Sequence, residues 1–354
     1  SLPCLRGCGG MTAPFFSICI AAYNAERYIS ECLRSIAAQD CRDYEVVIVD
    51  DGSAEPLALD EGLRSAFPSC TLRRTANSGP YAARQAAFDA SCGEVVICVD
   101  ADDGLLDPSA LTKIKRAFID GDVDIVLFNA SSSDLNPARM FDFSALGGEG
   151  AVSESSVWDL YTKGYSLNSL WCKAFKRTLY TKGEKPRPRL LMAEDRLQSL
   201  EVMRDAKSYW LLDEPLYFYR PNPASTTNAG YDPAYYRQAC YVEEEVTAFM
   251  KRRGMPLDGW ARYFLGYTSS ALLGVRYNRK LDGAARRLAY ADARNEKALA
   301  IAAGNCSIGS LSKVDTLRIS FLEKKRFVML DISMLPWRVG SGVKRLIAAL
   351  RHAC

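Results

Sequence analysis

Histidine is almost absent from this chain. His352, two residues from the C-terminus, is the only one among 354 residues. Proton transfer near neutral pH therefore falls to carboxylates, since no imidazole stands elsewhere. The twelve cysteines include no Cys-x-x-Cys pair, so a Cys/His zinc site has no pattern to support it. Cys19, Cys32 and Cys98 fall in apolar periods instead, where cysteine behaves as a small buried hydrophobe. That usage implies reduced thiols and a cytoplasmic compartment. No apolar run reaches the roughly 18 residues that would cross a bilayer. The formal net charge is only +3, which excludes general nucleic-acid binding. There is no internal repeat. The opening Ser1-Leu2-Pro3-Cys4 through Gly10 lacks a signal-peptide core. Residues 1–13 read as a poorly ordered leader, with Met11 a candidate natural start.

What is there is a pair of apolar runs that end in acid. Tyr44-Glu45-Val46-Val47-Ile48-Val49 runs into Asp50-Asp51-Gly52-Ser53, and Glu94-Val95-Val96-Ile97-Cys98-Val99 into Asp100-Ala101-Asp102-Asp103. A continuous Val/Ile run suits a strand covered on both faces, as in a parallel sheet. Open α/β sheets bind ligands at the carboxyl ends of such strands. Two acidic clusters at one sheet edge repel each other unless a cation or hydrogen-bond donors stand between them. A divalent metal with a phosphorylated ligand meets that need.

Strands are predicted at Phe15–Ala21, Glu45–Val49, Leu72–Arg74, Val95–Val99 and Asp124–Phe128. Between them fall helices at Ala25–Ala38, with Asn24 as N-cap, at Leu57–Ala66, from Gly79-Pro80 onward, and at Leu111–Ile119. The alternation predicts a doubly wound α/β domain, mostly parallel in its sheet and flanked by helices. Residues 131–151 read as a loop, and 153–228 as mixed and aromatic. Helices follow at Tyr235–Lys251, Trp260–Arg276 and Gly283–Ala303. The expected division is 14–230 for the sheet domain and 231–354 for a mainly helical region. The end of the chain, from Leu317, mixes Lys324, Lys325, Arg326, Arg338, Lys344, Arg345 and Arg351 with Phe321, Phe327, Leu335, Trp337, Leu346, Ile347 and Leu350. Such a basic amphipathic end either lies on an anionic membrane surface or packs on the protein with a solvated face.

Four motifs occur in a telling order: Ser17 through Asn24, Val49-Asp50-Asp51-Gly52-Ser53, Asn77-Ser78-Gly79 through Ala83-Arg84, and Asp100-Ala101-Asp102-Asp103. Together they resemble family 2 of the inverting glycosyltransferases, which have the GT-A fold and use nucleotide sugars. The resemblance is dense over residues 14 to about 110 and thins to Glu194-Asp195 and Tyr217–Thr226.

The resemblance implies a donor site of Ala21, Tyr23, Asp51, Arg84, Asp100 and Asp102. Asp51 would hold the nucleotide base, and the alternative is a turn cap. Arg84 would face the nucleotide, and the alternative is a surface pair with Asp89. Alternation along an extended segment would point Asp100 and Asp102 to one side. Their hard oxygens suit Mn²⁺ or Mg²⁺, with Asp102 the direct ligand and Asp100 on ribose or on a water of the metal. Asp195 is implied as the general base, with Glu194 able to take that role; capping of a helix start is the alternative for both. Ala193 stands where relatives often have glycine, and Gln85 where they usually have asparagine. Trp171 and Lys173 resemble residues lining the acceptor side, though Trp171 equally suits core packing. Tyr217, Tyr219, Arg220, Ser225 and Thr226 resemble a stretch that closes over the diphosphate.

The function implied is transfer of a sugar, with inversion, from a nucleotide sugar of the UDP type to an acceptor hydroxyl. The acceptor would be a glycan or lipid-linked saccharide in surface-polysaccharide synthesis, at the inner face of the cell membrane. The alternative is a catalytically inactive nucleotide-sugar-binding protein of the same fold. A dinucleotide-dependent oxidoreductase would need a Gly-rich turn after the first strand. Ala21-Ala22-Tyr23-Asn24 stands there instead. A nucleotidyltransferase would need a Gly-rich basic loop near its start, and none is evident.

Overall fold

The computed structural model describes residues 13–180, 187–222 and 232–334. They divide into two compact units, one on either side of Pro223.

The first unit is built on β1 (Phe16–Ala22), β2 (Tyr44–Asp50), β3 (Cys70–Arg74), β4 (Val95–Asp100), β5 (Gly104–Leu105), β6 (Ile125–Ser131), β7 (Gly150–Val152), β8 (Lys173–Lys176) and β9 (Tyr209–Phe218). These form one nine-stranded sheet in the order β3-β2-β1-β4-β8-β6-β9-β5, with β7 paired to β9. The half β3-β2-β1-β4 is parallel. β8 joins antiparallel between β4 and β6, β5 and β7 pair antiparallel with β9, and β6 pairs parallel with β9. The fold is therefore α/β with a mixed sheet flanked by helices, in line with the α/β expectation.

Six helices cover it: α1 (Ile29–Ala37), α2 (Glu61–Ser65), α3 (Pro80–Ala90), α4 (Ala110–Gly121), α5 (Glu154–Lys163) and α6 (Glu194–Met203). Strand alternation sorts the two faces. Phe16, Ile18, Ile20, Val46, Ile48, Val95, Ile97 and Val99 share a core with Ile29, Leu33 and Ile36 of α1 and Leu111 and Ile114 of α4. The opposite face carries the small Ser17, Cys19 and Ala21 on β1, against which α3 packs with the buried Ala83 and Ala87. Small residues facing small residues bring α3 close to the strand ends that bear the site.

Local differences from the sequence reading have local causes. Asn24 is not an N-cap. Its backbone is left-handed, φ +49°, its N–H donates to Ser53 Oγ, and its Oδ1 accepts from Ala54 N. The chain is thus tied across to the β2 turn, and α1 starts only at Ile29. Helix α2 starts at Glu61 because Asp60 caps it through Leu63 N. Residues 57–60 precede it, with Leu57 N given to Asp50. Most described cysteines are free thiols, but Cys92 is disulfide-bonded, which corrects the expectation of reduced thiols throughout.

The second unit holds α7 (Pro233–Arg252), α8 (Asp258–Tyr277), α9 (Gly283–Asn295), α10 (Lys297–Asn305), α11 (Lys313–Glu323) and α12 (Phe327–Ser333). One predicted helix over 283–303 is two, because Glu296 turns to extended geometry (φ −65°, ψ 134°) between α9 and α10. The core centres on Trp260, Phe264, Leu265, Cys240 and Leu322. Trp260 Nε1 donates to the buried Glu243 carboxylate at 2.7 Å. Among the described residues no helix is long and apolar enough to cross a membrane.

Candidate active site

The register pairs Ala22 with Asp50 and Ala21 with Asp100. The end of β1, half-buried at Ala21 and followed by the exposed Tyr23, therefore lies between two acidic strand ends. Asp50 is buried and accepts from Ser53 N at 2.9 Å, Leu57 N at 3.1 Å and the Arg74 guanidinium at 2.9 Å. Burial alone would raise its pKa; these donors outweigh it and leave the pKa below the ordinary value. Asp51, also buried, accepts from Ser78 N at 2.9 Å and Gly79 N at 2.8 Å. It joins the end of β2 to the start of α3, where Gly79 takes φ +91°.

After β4 the chain does not stay extended. Asp103 N donates to Asp100 O at 3.0 Å, which closes a turn. Strand alternation therefore stops at Asp100, and it is this turn that sets where Asp102 lies. Asp100 Oδ1 accepts from Arg84, whereas Asp102 Oδ2 accepts from Asn222 Nδ2 at 3.1 Å. Asp103 is buried and accepts from Tyr217 OH and Arg220 N, both at 2.8 Å. Burial and the nearby Asp100 charge push its pKa up to about 8. Tyr217 OH also accepts from Asp100 N at 3.0 Å, so one phenol fixes both ends of the acidic turn.

Arg84 organises the rest. It lies on α3 with only 5% of its surface exposed. Its guanidinium reaches Asp100 at 3.1 Å, Asp195 at 2.5 Å, Glu194 at 3.5 Å and Gln198 Oε1 at 3.1 Å. Three carboxylates from two distant segments thus share one cation, and the Asp89 surface pair is not what forms. Glu194 and Asp195 open α6, where the helix dipole favours acids. Ala193 before them is left-handed at φ +63°. Burial, then the Asp195 charge, raise the Glu194 pKa to about 7 against the pull of Arg84. Asp195 is likewise raised by burial and by Asp100, with Arg84 opposing. Both side chains stay partly exposed, at 15% and 26%. Asp195 Oδ2 has no hydrogen bond among the described residues.

Trp171 is buried. It stacks on Tyr217 at 4.6 Å and on Tyr219 at 5.6 Å between ring centroids. Lys173 is wholly buried, and its ammonium donates to Leu167 O at 2.7 Å and Ser169 O at 2.6 Å. Burial lowers its pKa to about 8. Arg220 donates to Asp102 O at 2.8 Å and to Glu31 at 2.5 Å, which fixes it beside the acidic turn. Ser225 and Thr226 lie outside the described residues, as does most of the basic end of the chain. The sequence reading missed Gln198, Asn222 and Glu31. Gln198 lies three and four residues after Asp195 and Glu194, a helical spacing that puts it on their face.

Among the described residues no three His, Cys, Asp or Glu side chains are grouped to hold a metal ion. Asp100 and Asp102 each keep one carboxylate oxygen without a hydrogen bond among those residues. Hard oxygens of this kind suit a cation that retains waters and takes phosphate oxygens as ligands.

Residues 17–181 match the profile "Glycosyl transferase family 2". EpsJ of Bacillus subtilis (strain 168), an uncharacterized glycosyltransferase, is 29% identical over 62% of this chain and 65% of its own length. TarS of Staphylococcus aureus (strain MW2), a poly(ribitol-phosphate) β-N-acetylglucosaminyltransferase, is 31% identical over 58% of this chain and 35% of its own. The chain thus spans under two thirds of EpsJ and about a third of TarS. The crystal structure of S. aureus TarS 1–349 with UDP-GlcNAc superposes with a TM-score of 0.66, at 20% identity, over 90% of each chain. The segment that carries Asp51, Arg84 and the Asp100–Asp103 turn is thus the part of this chain that is similar to glycosyl transferase family 2.

Proposed function

We propose that the protein is an inverting glycosyltransferase that moves a sugar from a UDP-sugar to an acceptor hydroxyl. One observation carries this reading. The Arg84 guanidinium gathers the donor-side Asp100 and the Glu194/Asp195 pair into one partly open site at the carboxyl ends of parallel strands. The UDP-GlcNAc held by a neighbour of the same fold supports the donor class.

In this reading Ala21, Tyr23 and the loop tied by Asp51 border the nucleoside. Asp102 and Asp100 are the residues that would hold Mn²⁺ or Mg²⁺, and such an ion would supply positive charge to neutralise the diphosphate leaving group. Asp195 takes the acceptor proton as the oxygen attacks the anomeric carbon from the face opposite the nucleotide, and a single displacement inverts that centre. Glu194 tunes Asp195 through its charge. Arg84 holds the base toward the donor. Tyr219 and Arg220 support the diphosphate side, while Trp171 and Lys173 wall the site from behind. The acceptor class is a glycan or lipid-linked saccharide of a surface polymer, as the poly(ribitol phosphate) in the name of TarS suggests by kinship.

Thermal stabilisation by UDP with and without Mn²⁺ tests the donor site, because a ligand bound to the native state raises its stability with the logarithm of ligand excess. A Mn²⁺-dependent shift in wild type that Asp102→Ala abolishes is the expected result. No shift with any nucleoside diphosphate overturns the reading.

A further inference from the structure

The strand order gives the site two sides. Asp51 follows β2, which lies beyond β1 from β4, whereas β8, β6 and β9 lie on the other side of β4. Strand β8 runs antiparallel to both β4 and β6, and β9 runs parallel to β6. The carboxyl ends of β6 and β9 therefore stand at the same sheet edge as Asp100. Aromatic rings meet there on Trp171, just before β8. Tyr217 and Tyr219, at the end of β9, stack on it, and Phe141, from the loop after β6, lies 5.7 Å away with its plane tilted by 33°. Tyr217 in turn holds the Asp100–Asp103 turn through its hydroxyl. Phe141 is thus joined to the acidic cluster through two rings.

Phe141 belongs to no motif and sits in a stretch whose sequence reads as a loop, yet one buried amide fixes it. The register of β6 on β9 shifts on both sides of Asn129, an irregularity of the kind that re-aims a side chain. Asn129 is wholly buried. Its Oδ1 accepts from Met140 N at 3.1 Å and Phe141 N at 3.0 Å, and its Nδ2 donates to Phe141 O at 2.8 Å. Met140 N also donates to Ala130 O at 2.8 Å. The buried Phe143 lies against the Phe141 ring at 5.8 Å. Phe141 itself stays half-buried, next to the exposed Met140. A ring held this firmly on a loop and left partly open to solvent is a preorganised surface. The charges nearby are matched. Arg139 pairs with Asp213 at 3.0 Å, Arg220 pairs with Glu31, and the Lys173 ammonium is taken by two carbonyl oxygens.

We propose that Phe141, backed by Trp171, is the platform for the sugar ring of the acceptor, which makes the acceptor a neutral pyranoside and not a polyol phosphate. This assignment deepens the proposed function and rests on it. In an inverting displacement the acceptor enters from the face opposite the nucleotide. The nucleoside borders the ends of β1 and β2, so the acceptor side is that of β8, β6 and β9. An aromatic face carries negative partial charge and meets the polarised C–H bonds of a pyranose, whose hydroxyls stay solvated at the rim. A phosphate would call instead for a cation not already matched.

Saturation-transfer NMR on the full chain with UDP and Mn²⁺ tests it. The probes are methyl β-glucoside, methyl β-galactoside, methyl N-acetyl-β-glucosaminide and ribitol phosphate. At least one glycoside should bind and be saturated chiefly through its ring C–H protons, and ribitol phosphate should not bind. Phe141→Leu keeps apolar volume but removes the ring, and should weaken glycoside binding at least about fivefold. Phe141→Tyr keeps the ring and should retain it. Thermal stabilisation by UDP with Mn²⁺ should be the same in wild type and both variants. If UDP stabilises wild type and no glycoside binds, the platform is overturned and the catalytic reading stands. If UDP does not stabilise wild type, the catalytic reading falls and the platform with it. Glycoside binding that Phe141→Leu leaves unchanged overturns the platform. So does a loss as large in Phe141→Tyr, ribitol phosphate bound as well as any glycoside, or loss of UDP stabilisation in Phe141→Leu, which would make the ring a support of the donor site.

Discussion

At Ala193 the backbone takes φ +63°, a left-handed conformation that costs an L-residue with a Cβ roughly 1–2 kcal/mol. Glycine adopts it freely but loses roughly 0.5–1 kcal/mol more chain entropy on folding. Ala193→Gly should therefore stabilise the fold by up to about 1 kcal/mol and raise Tm by a few degrees. A lower Tm in the variant would show that Ala193 is not strained. The residues that follow set the pH response. The folded pKa of Glu194, about 7, lies above its ordinary 4.5. A carboxyl raised in this way favours the folded state when protonated, so its contribution falls as pH rises from 4.5 through 7. In the proposed function activity runs the other way, since Asp195 must be ionised to act as the base. The acid limb of kcat/KM should lie near pH 7 as a property of the pair. Glu194→Gln should move it down by removing the like charge beside Asp195. A limb that stays at an ordinary carboxylate pH in wild type would place the base elsewhere. The sequence named each acid of this cluster but not its centre. Arg84 and Asp195 are 111 residues apart in sequence, and only the packing of α3 against α6 brings them together. Asn24 misled for the same reason, since its partners lie thirty residues on.

At the scale of elements, the strands were legible wherever a Val/Ile run ended in acid. β2 and β4 are such runs, and β1 is held between them. β7 and β8 were not legible. They are three and four residues long and carry Gly or Lys, so neither period nor composition marks them. The turn after β2 is the element most exposed to a single change. Gly52 has φ +71°, and a Cβ there would stand 2.8 Å from Asn77 N. That backbone belongs to the loop whose Ser78 and Gly79 N–H groups bind Asp51. Gly52→Ala should thus incur both overpacking, about 1–3 kcal/mol, and left-handed strain. Tm should fall by several degrees, and UDP should stabilise the variant less than wild type, because the loop and α3 start would shift together. A drop in Tm with full UDP stabilisation would separate this loop from nucleotide binding.

At the scale of the whole molecule, the charge and the cores follow the same division. One unit has an acidic excess and a sheet core; the other has a basic excess and a helical core around Trp260 and Phe264. The helical pattern after residue 231 was legible from its spacing, but its break at Glu296 was not, because Asn295-Glu296 carries no glycine or proline to announce it. Two cores can unfold as two cooperative steps, and a ligand confined to one unit raises only the step in which that unit unfolds. Calorimetry should therefore resolve two transitions, with UDP and Mn²⁺ raising only one of them. Glu243→Ala should lower the other. It leaves the buried Trp260 N–H without its carboxylate, a loss of about 1–3 kcal/mol, and touches no residue of the nucleotide site. A single transition that both the ligand and Glu243→Ala displace would mean that the units unfold as one.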